Sequence, residues 1–232
     1  MRDRRRRLHL AVLAVCLAVV AAVAAVIALD RPGAPADFGP APAAAGRPAP
    51  PQRTAPASPA APAAPAGRFP VRVSEAPPPA ADPPRPLVLA IPRLGVRAPV
   101  EAVGVGRDGQ VAVPGNAEHV GWYRFGAAPG AAAGSAVVVG HVDSRTQGLG
   151  VLAALGSVRE GDRVTVALAD RRTLAYRVVS RRSYDKAAVP LARLFRRDGP
   201  PVLTLITCTA PFDPARGGYL RNLVVTAVRT GV

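Results

Sequence analysis

The hydrophobic positions of this chain fall into three regimes. Residues 10–29 are apolar without a break, twenty positions with no charge among them. Residues 31–86 lose all periodicity in Pro-x and Pro-Ala repeats. From Leu87 onward, short apolar runs are cut by Gly, Pro and Asp turns, and this last regime predicts strands. Residues 87–91 form one run stopped by Pro92, and residues 96–105 alternate loosely. Residues 135–140 make an Ala-Val-Val-Val run typical of a buried strand. Residues 162–168 alternate cleanly through Val164, Val166 and Leu168, and residues 174–180 pair back across Ala169-Asp170-Arg171. Residues 202–207 and 220–228 are the last two strands, while 149–155 and 191–195 read as short helical turns. Seven or eight short strands with few helices predict a mainly β fold, a closed or nearly closed antiparallel-rich barrel.

Each of the other regimes has its own physical reading. Twenty helical residues span about 30 Å, the thickness of a bilayer's hydrocarbon core. Five arginines lie within residues 1–7 and Asp30 follows the span, which orients the amino terminus to the cytoplasm and the remainder to the outside. A cleaved signal peptide has a shorter apolar region, and the Ala22-Val23-Ala24 match sits too deep for cleavage. Residues 1–9 therefore read as a cytoplasmic basic segment and 10–29 as a transmembrane anchor, with Cys16 an ordinary lipid-facing residue. The repeats hold 18 of the chain's 27 prolines, and their only aromatics are Phe38 and Phe69. Such a segment buries too little apolar surface to offset the entropy of ordering it. Residues 30–86 thus read as a disordered Pro/Ala-rich linker, a spacer of up to about 150 Å that holds a domain off the membrane. Residues 87–232 are the folded domain, large enough for a real core.

Charge narrows the partners. The net charge of +15 is carried almost wholly by arginine, with Lys186 the only lysine, and it suggests an anionic neighbour. Nucleic acid is set aside, because the domain shows neither an aromatic-and-basic RNA-binding sheet signature nor a DNA-reading helix. Lipid headgroups and an acidic wall polymer remain.

Outside the apolar span the chain has one cysteine, Cys208, so no intrachain disulfide is open to it. It follows the run Val202-Leu203-Thr204-Leu205-Ile206-Thr207, which predicts a thiol where a strand gives way to a loop. His141 follows Val137-Val138-Val139-Gly140 in the same manner. Two strand ends each deliver half of a thiol–imidazole pair, in which a neighbouring imidazolium raises the thiolate fraction. Arg221 enters the strand after the cysteine strand, and a hairpin-like return brings a guanidinium near Cys208, suited to an oxyanion. His119 reads as structural or substrate-adjacent.

Thr204-Leu205-Ile206-Thr207-Cys208 resembles the Thr-Leu-x-Thr-Cys signature of sortases. Gly140-His141, with His141 67 residues upstream of Cys208, and Arg221, 13 residues downstream, fall at that family's order and spacing. Ile91-Pro92-Arg93-Leu94-Gly95-Val96 resembles its first-strand motif. Gly121-Trp122-Tyr123, Gly140-His141-Val142-Asp143-Ser144 and Pro211-Phe212-Asp213 look most like the actinobacterial group called class F. Two details depart from that group. It reads Tyr-Arg-Asp-Asn or Tyr-Leu-Asp-Asn where this chain has Tyr219-Leu220-Arg221-Asn222, which leaves Arg216 as an alternative to Arg221. Thr209-Ala210 also replaces the usual Gly-Gly.

The resemblance implies a sortase-type barrel that works as a cysteine transpeptidase on a Gram-positive cell surface. Cys208 attacks a Thr-Gly-type bond in an LPxTG-like sorting signal of a secreted protein, His141 protonates the leaving amine, and Arg221 steadies the oxyanion. An amine of a cell-wall precursor or another protein then releases the thioacyl enzyme. Residues 183–200 are assigned to substrate recognition by the same analogy. No cofactor is implied, and no clustered Asp/Glu motif argues for a metal. The rival readings are another extracellular cysteine peptidase and a non-catalytic basic wall-binding module, which would have no use for Cys208.

Overall fold

The computed structural model describes residues 35–41 and 83–231. The expected span 10–29 lies outside the described residues, and among those described no helix is long and apolar enough to cross a membrane. The strands are β1 (Pro86–Ile91), β2 (Val96–Val103), β3 (Val120–Tyr123), β4 (Ser135–Gly140), β5 (Asp143–Ser144), β6 (Gly148–Leu149), β7 (Arg163–Leu168), β8 (Thr173–Asp185), β9 (Val202–Asp213) and β10 (Gly218–Arg229). One α-helical turn, α1 (Leu191–Leu194), and four 3-10 turns complete the elements.

Eight strands close a barrel in the order β1-β2-β3-β4-β9-β10-β8-β7. The β2·β3 and β4·β9 pairs are parallel and the others antiparallel. Closure follows from alternation: Val164, Val166 and Leu168 of β7 point inward, as do Leu203 and Leu205 of β9 and Leu223, Val225 and Ala227 of β10. They meet Leu152 and Leu155 from the 3-10 turn Val151–Ser157, both fully buried. Each such side chain contributes about 1.5–3 kcal/mol on leaving water. β4 is buried at every position because its outer face is covered too: Val137 and Val139 join Val103 in a second cluster with Tyr123, Phe195 and Ile206.

Several elements differ from the pattern reading. β3 has only four residues, and a Cβ on Gly121 would stand 2.8 Å from Val103, so close packing replaced the apolar signal there. β8, β9 and β10 all run further than their alternation, because they leave the core while still pairing with one another. Residues 183–185, expected in a recognition loop, belong to β8 and pair with Arg221, Asn222 and Leu223. Residues 35–41, inside the stretch read as linker, lie against β8, where Phe38 bridges Arg181.

Candidate active site

Cys208 and His141 are brought together by the parallel pairing of β4 and β9. The register ends at Val139↔Ile206, and the next contact is made by a side chain, since Thr207 Oγ1 donates to Gly140 O at 2.9 Å within the core. One residue further along each chain stand His141 and Cys208, at matching positions just past the last paired register. Alternation gives both the same face. Val138 and Leu205 point into the barrel and Val139 and Ile206 into the outer cluster, so His141 and Cys208 lie on the outer face, just past the apolar cover. Both are half-buried.

Local packing allows the histidine little slack. A Cβ on Gly140 would meet Leu152 at 2.9 Å, and one on Gly150 would meet the His141 carbonyl oxygen at 2.3 Å. Leu152 N–H donates to His141 O at 3.2 Å and Gly150 N–H to Val142 O at 2.9 Å. The imidazole Nε2 lies 2.9 Å from Pro114 O. A carbonyl can only accept, so Nε2 carries a proton and Nδ1 is the nitrogen left to exchange one.

The cysteine itself does not sit at the end of its strand, as expected, for β9 continues to Asp213 alongside β10. What ends after Ile206 is the pairing with β4, which leaves Cys208 paired on one side only, opposite Asn222. Burial pushes the Cys208 thiol up, the Asp143 carboxylate adds to this, and Lys186 opposes it. Burial and Asp143 thus favour the protonated thiol, and activation calls for a base that takes the proton.

Arg221 lies one register position from the Cys208–Asn222 pair, opposite Thr209 on β9 and Asp185 on β8, so the alternation that turns Leu223 inward and Cys208 outward sets its backbone position on the face opposite the thiol. Its Nη2 donates to Ser183 O at 3.2 Å. Its Nε is 3.1 Å from Asp185 Oδ1 but lacks the alignment of a hydrogen bond, so β8 leaves part of the guanidinium unspent. Arg216, the alternative, lies in the exposed turn at the hairpin tip, ion-paired to Asp213 at 3.3 Å. His119 is held by Glu101 at 2.6 Å.

Two residues that the reading quoted without a role also belong here. Tyr219 Oη donates to Asp143 Oδ2 at 2.5 Å, tying the loop after His141 to the hairpin that carries Cys208. That bond, with burial, pushes the Tyr219 phenol up to about 12. Their positions two residues from His141 and from Arg221 were the only available signal. Exposed Phe212 stacks edge-on against Tyr219 at 5.0 Å and gives the hairpin an apolar rim.

The Sortase domain family model matches residues 89–230. No curated protein matches the sequence. Similar solved structures include Sortase A from Corynebacterium diphtheriae, 23% identical with a TM-score of 0.49, where the match covers 65% of this chain and 62% of that one. Another is Group B Streptococcus Pilus Island 1 Sortase C2, 24% identical with a TM-score of 0.48, covering 62% and 73%. A third is sortaseC1 from Streptococcus suis, 20% identical with a TM-score of 0.49, covering 64% and 74%.

Proposed function

The chain belongs to the sortase family of cysteine transpeptidases, and from that premise we propose that it is a membrane-anchored sortase of the class F type, acting outside a Gram-positive, actinobacterial cell. Residues 10–29 are the anchor. The substrate is a secreted protein bearing an LPxTG-like sorting signal near its carboxyl end, and the acceptor is an amine of a cell-wall precursor or another protein. The observation that supports this reading is the β4·β9 register, whose continuation past Val139↔Ile206 gives His141 and Cys208 matching positions on adjacent strands.

The steps follow from the groups present. His141 Nδ1 takes the Cys208 proton, giving a thiolate–imidazolium pair. The thiolate adds to the scissile carbonyl, and the oxyanion is assigned to Arg221, whose guanidinium has to reach past its strand to the Cys208 face. Collapse breaks the C–N bond while the imidazolium protonates the departing amine, leaving a thioacyl enzyme. The acceptor amine adds to the thioester, returns a proton to His141, and expels Cys208 as thiolate. Exposed Phe212 and Leu191 offer apolar contact to the signal's side chains.

The test is incubation of the full chain with a Leu-Pro-x-Thr-Gly-type peptide, with and without an added amine. A thioacyl adduct on Cys208 by intact mass, and an amine-dependent product, are expected. Undiminished cleavage by Cys208→Ala or His141→Ala sinks the reading and leaves a tethered basic module. Loss of turnover in Arg221→Ala but not Arg216→Ala assigns the arginine.

A further inference from the structure

Residues 35–41 fall within the stretch read as a spacer, yet they are fastened to the barrel. β8 pairs with β7 only as far as Arg177, whereas its pairing with β10 continues to Asp185. Val178 still bonds Gly161 and Asp162 on that side, and beyond it the edge of β8 is left to another partner, which is Phe38. Phe38 N–H donates to Arg181 O at 2.9 Å, and Arg181 N–H donates to Phe38 O at 3.0 Å. Asp37 Oδ1 accepts from Ser183 N–H at 2.8 Å, and Ser180 Oγ reaches Pro40 O at 2.6 Å. The buried Arg181 guanidinium donates to Ala36 O at 2.7 Å, to Gly156 O and Val158 O at 2.6 and 2.8 Å, and lies 5.1 Å over the Phe38 ring. Gly39, at φ +72°, lets the strap lie flat, since a Cβ there would come within 2.0 Å of Val179 O. Removing the strap would take from the Arg181 guanidinium both the Ala36 O acceptor and the Phe38 ring that covers it.

The covalent arithmetic then changes the meaning of the linker. The apolar run ends at Leu29, six residues before Pro35, and six residues reach at most about 20 Å. Residues 42–82 connect Ala41 to Pro83, two points on the same barrel, so their own reach of about 120 Å does not separate domain from anchor. We propose that docking of residues 35–41 on β8 sets the height of the catalytic domain and holds the Cys208 site close to the lipid surface, whatever the length of the Pro/Ala stretch. This rests on the anchor assigned under the proposed function, and it replaces the spacer role expected of residues 30–86. Arg221, the neighbour in register of the Cys208–Asn222 pair, is linked to the strap, because Ser183 binds Asp37 through its N–H and Arg221 through its carbonyl.

The full chain carrying Cys16→Ser offers Cys208 as a single labelling site. With a fluorescent donor there and an acceptor lipid in phosphatidylcholine–phosphatidylglycerol vesicles, energy transfer reports the height of the site. Transfer is expected to be unchanged when residues 45–75 are deleted. It should drop when residues 35–41 are replaced by a Gly/Ser heptad, and recover when replacement and deletion are combined. Phe38→Ala, which keeps the Asp37 contact, gives a smaller drop and serves if the heptad chain melts. A rise in transfer on deletion alone, in a chain that floats with vesicles, overturns this proposal and leaves the anchor standing. Transfer that ignores both strap changes overturns it as well. A chain that fails to float overturns the anchor reading and this proposal together.

Discussion

Two polar clusters on this barrel are built on opposite principles. At the first, Arg93 grips Asp162 through bonds of 2.5 and 2.6 Å and spends a third on Ser157 O, while Arg159 N–H closes the carboxylate at 2.7 Å. At the second, Arg221 Nε and Ser183 Oγ are buried with no hydrogen-bond partner, and the Cys208 thiol keeps a proton that His141 can take. The first cluster is saturated, and the second holds donors and a proton in reserve. Native interiors pair nearly all their buried polar groups, so the unmet capacity of Arg221 and Ser183, on the two strands that follow β9 round the barrel, sets this cluster apart from the first.

The largest expected effect tests the reserve directly. Cys208→Ala abolishes the thioacyl adduct by intact mass, with a thermal midpoint close to that of the parent. His141→Ala lowers turnover by roughly 10²–10⁴-fold, the span of general acid–base catalysis. Asp162→Ala should leave turnover per folded molecule intact, and a loss matching that of His141→Ala would break the contrast. On the inner face of the same strand, Leu205→Ala costs about 2–5 kcal/mol in urea unfolding without touching the thiol.

Smaller effects sharpen the contrast. Asp162→Ala should lower stability modestly, since it removes the acceptor shared by Arg93 and the Arg159 N–H while water can reach the exposed guanidinium. The hydrogen bonds from Arg93 hold the Asp162 carboxyl below its usual range. A depressed carboxyl contributes stability that is present above its unfolded pKa of about 3.9 and lost as pH falls through the lower folded value. Acid unfolding of the parent should therefore show a loss that Asp162→Ala lacks. The mildest change is Asp143→Asn. It removes a negative charge that helps keep the thiol protonated, so the midpoint of Cys208 alkylation by iodoacetamide should move to lower pH. An upward movement would remove Asp143 from the site.

Much of the barrel was legible because alternation and burial coincide: Val164, Val166 and Leu168 read as an inward face and are one. Strand ends were not, because pairing outlasts alternation once a hairpin leaves the core, as from Cys208 to Asp213 and from Gly218 to Arg221. The thiol and imidazole were legible as two residues that follow buried runs. Their partners were not, since nothing in the local pattern at Asp143 or Tyr219 announces a contact across 76 positions. Composition also misled at residues 35–41, where one aromatic, one carboxylate and one glycine suffice to dock an otherwise proline-rich segment.

The bridge between Phe38 and Arg181 decides where force enters the fold. Tension drawn along the chain from its amino-terminal side meets two rungs in shear there, backed by a clamped guanidinium, before it can reach β1. β8 passes that load to β10 along nine paired positions. The seam between β4 and β9, with His141 and Cys208 just past its end, lies off that line and is spared the strain.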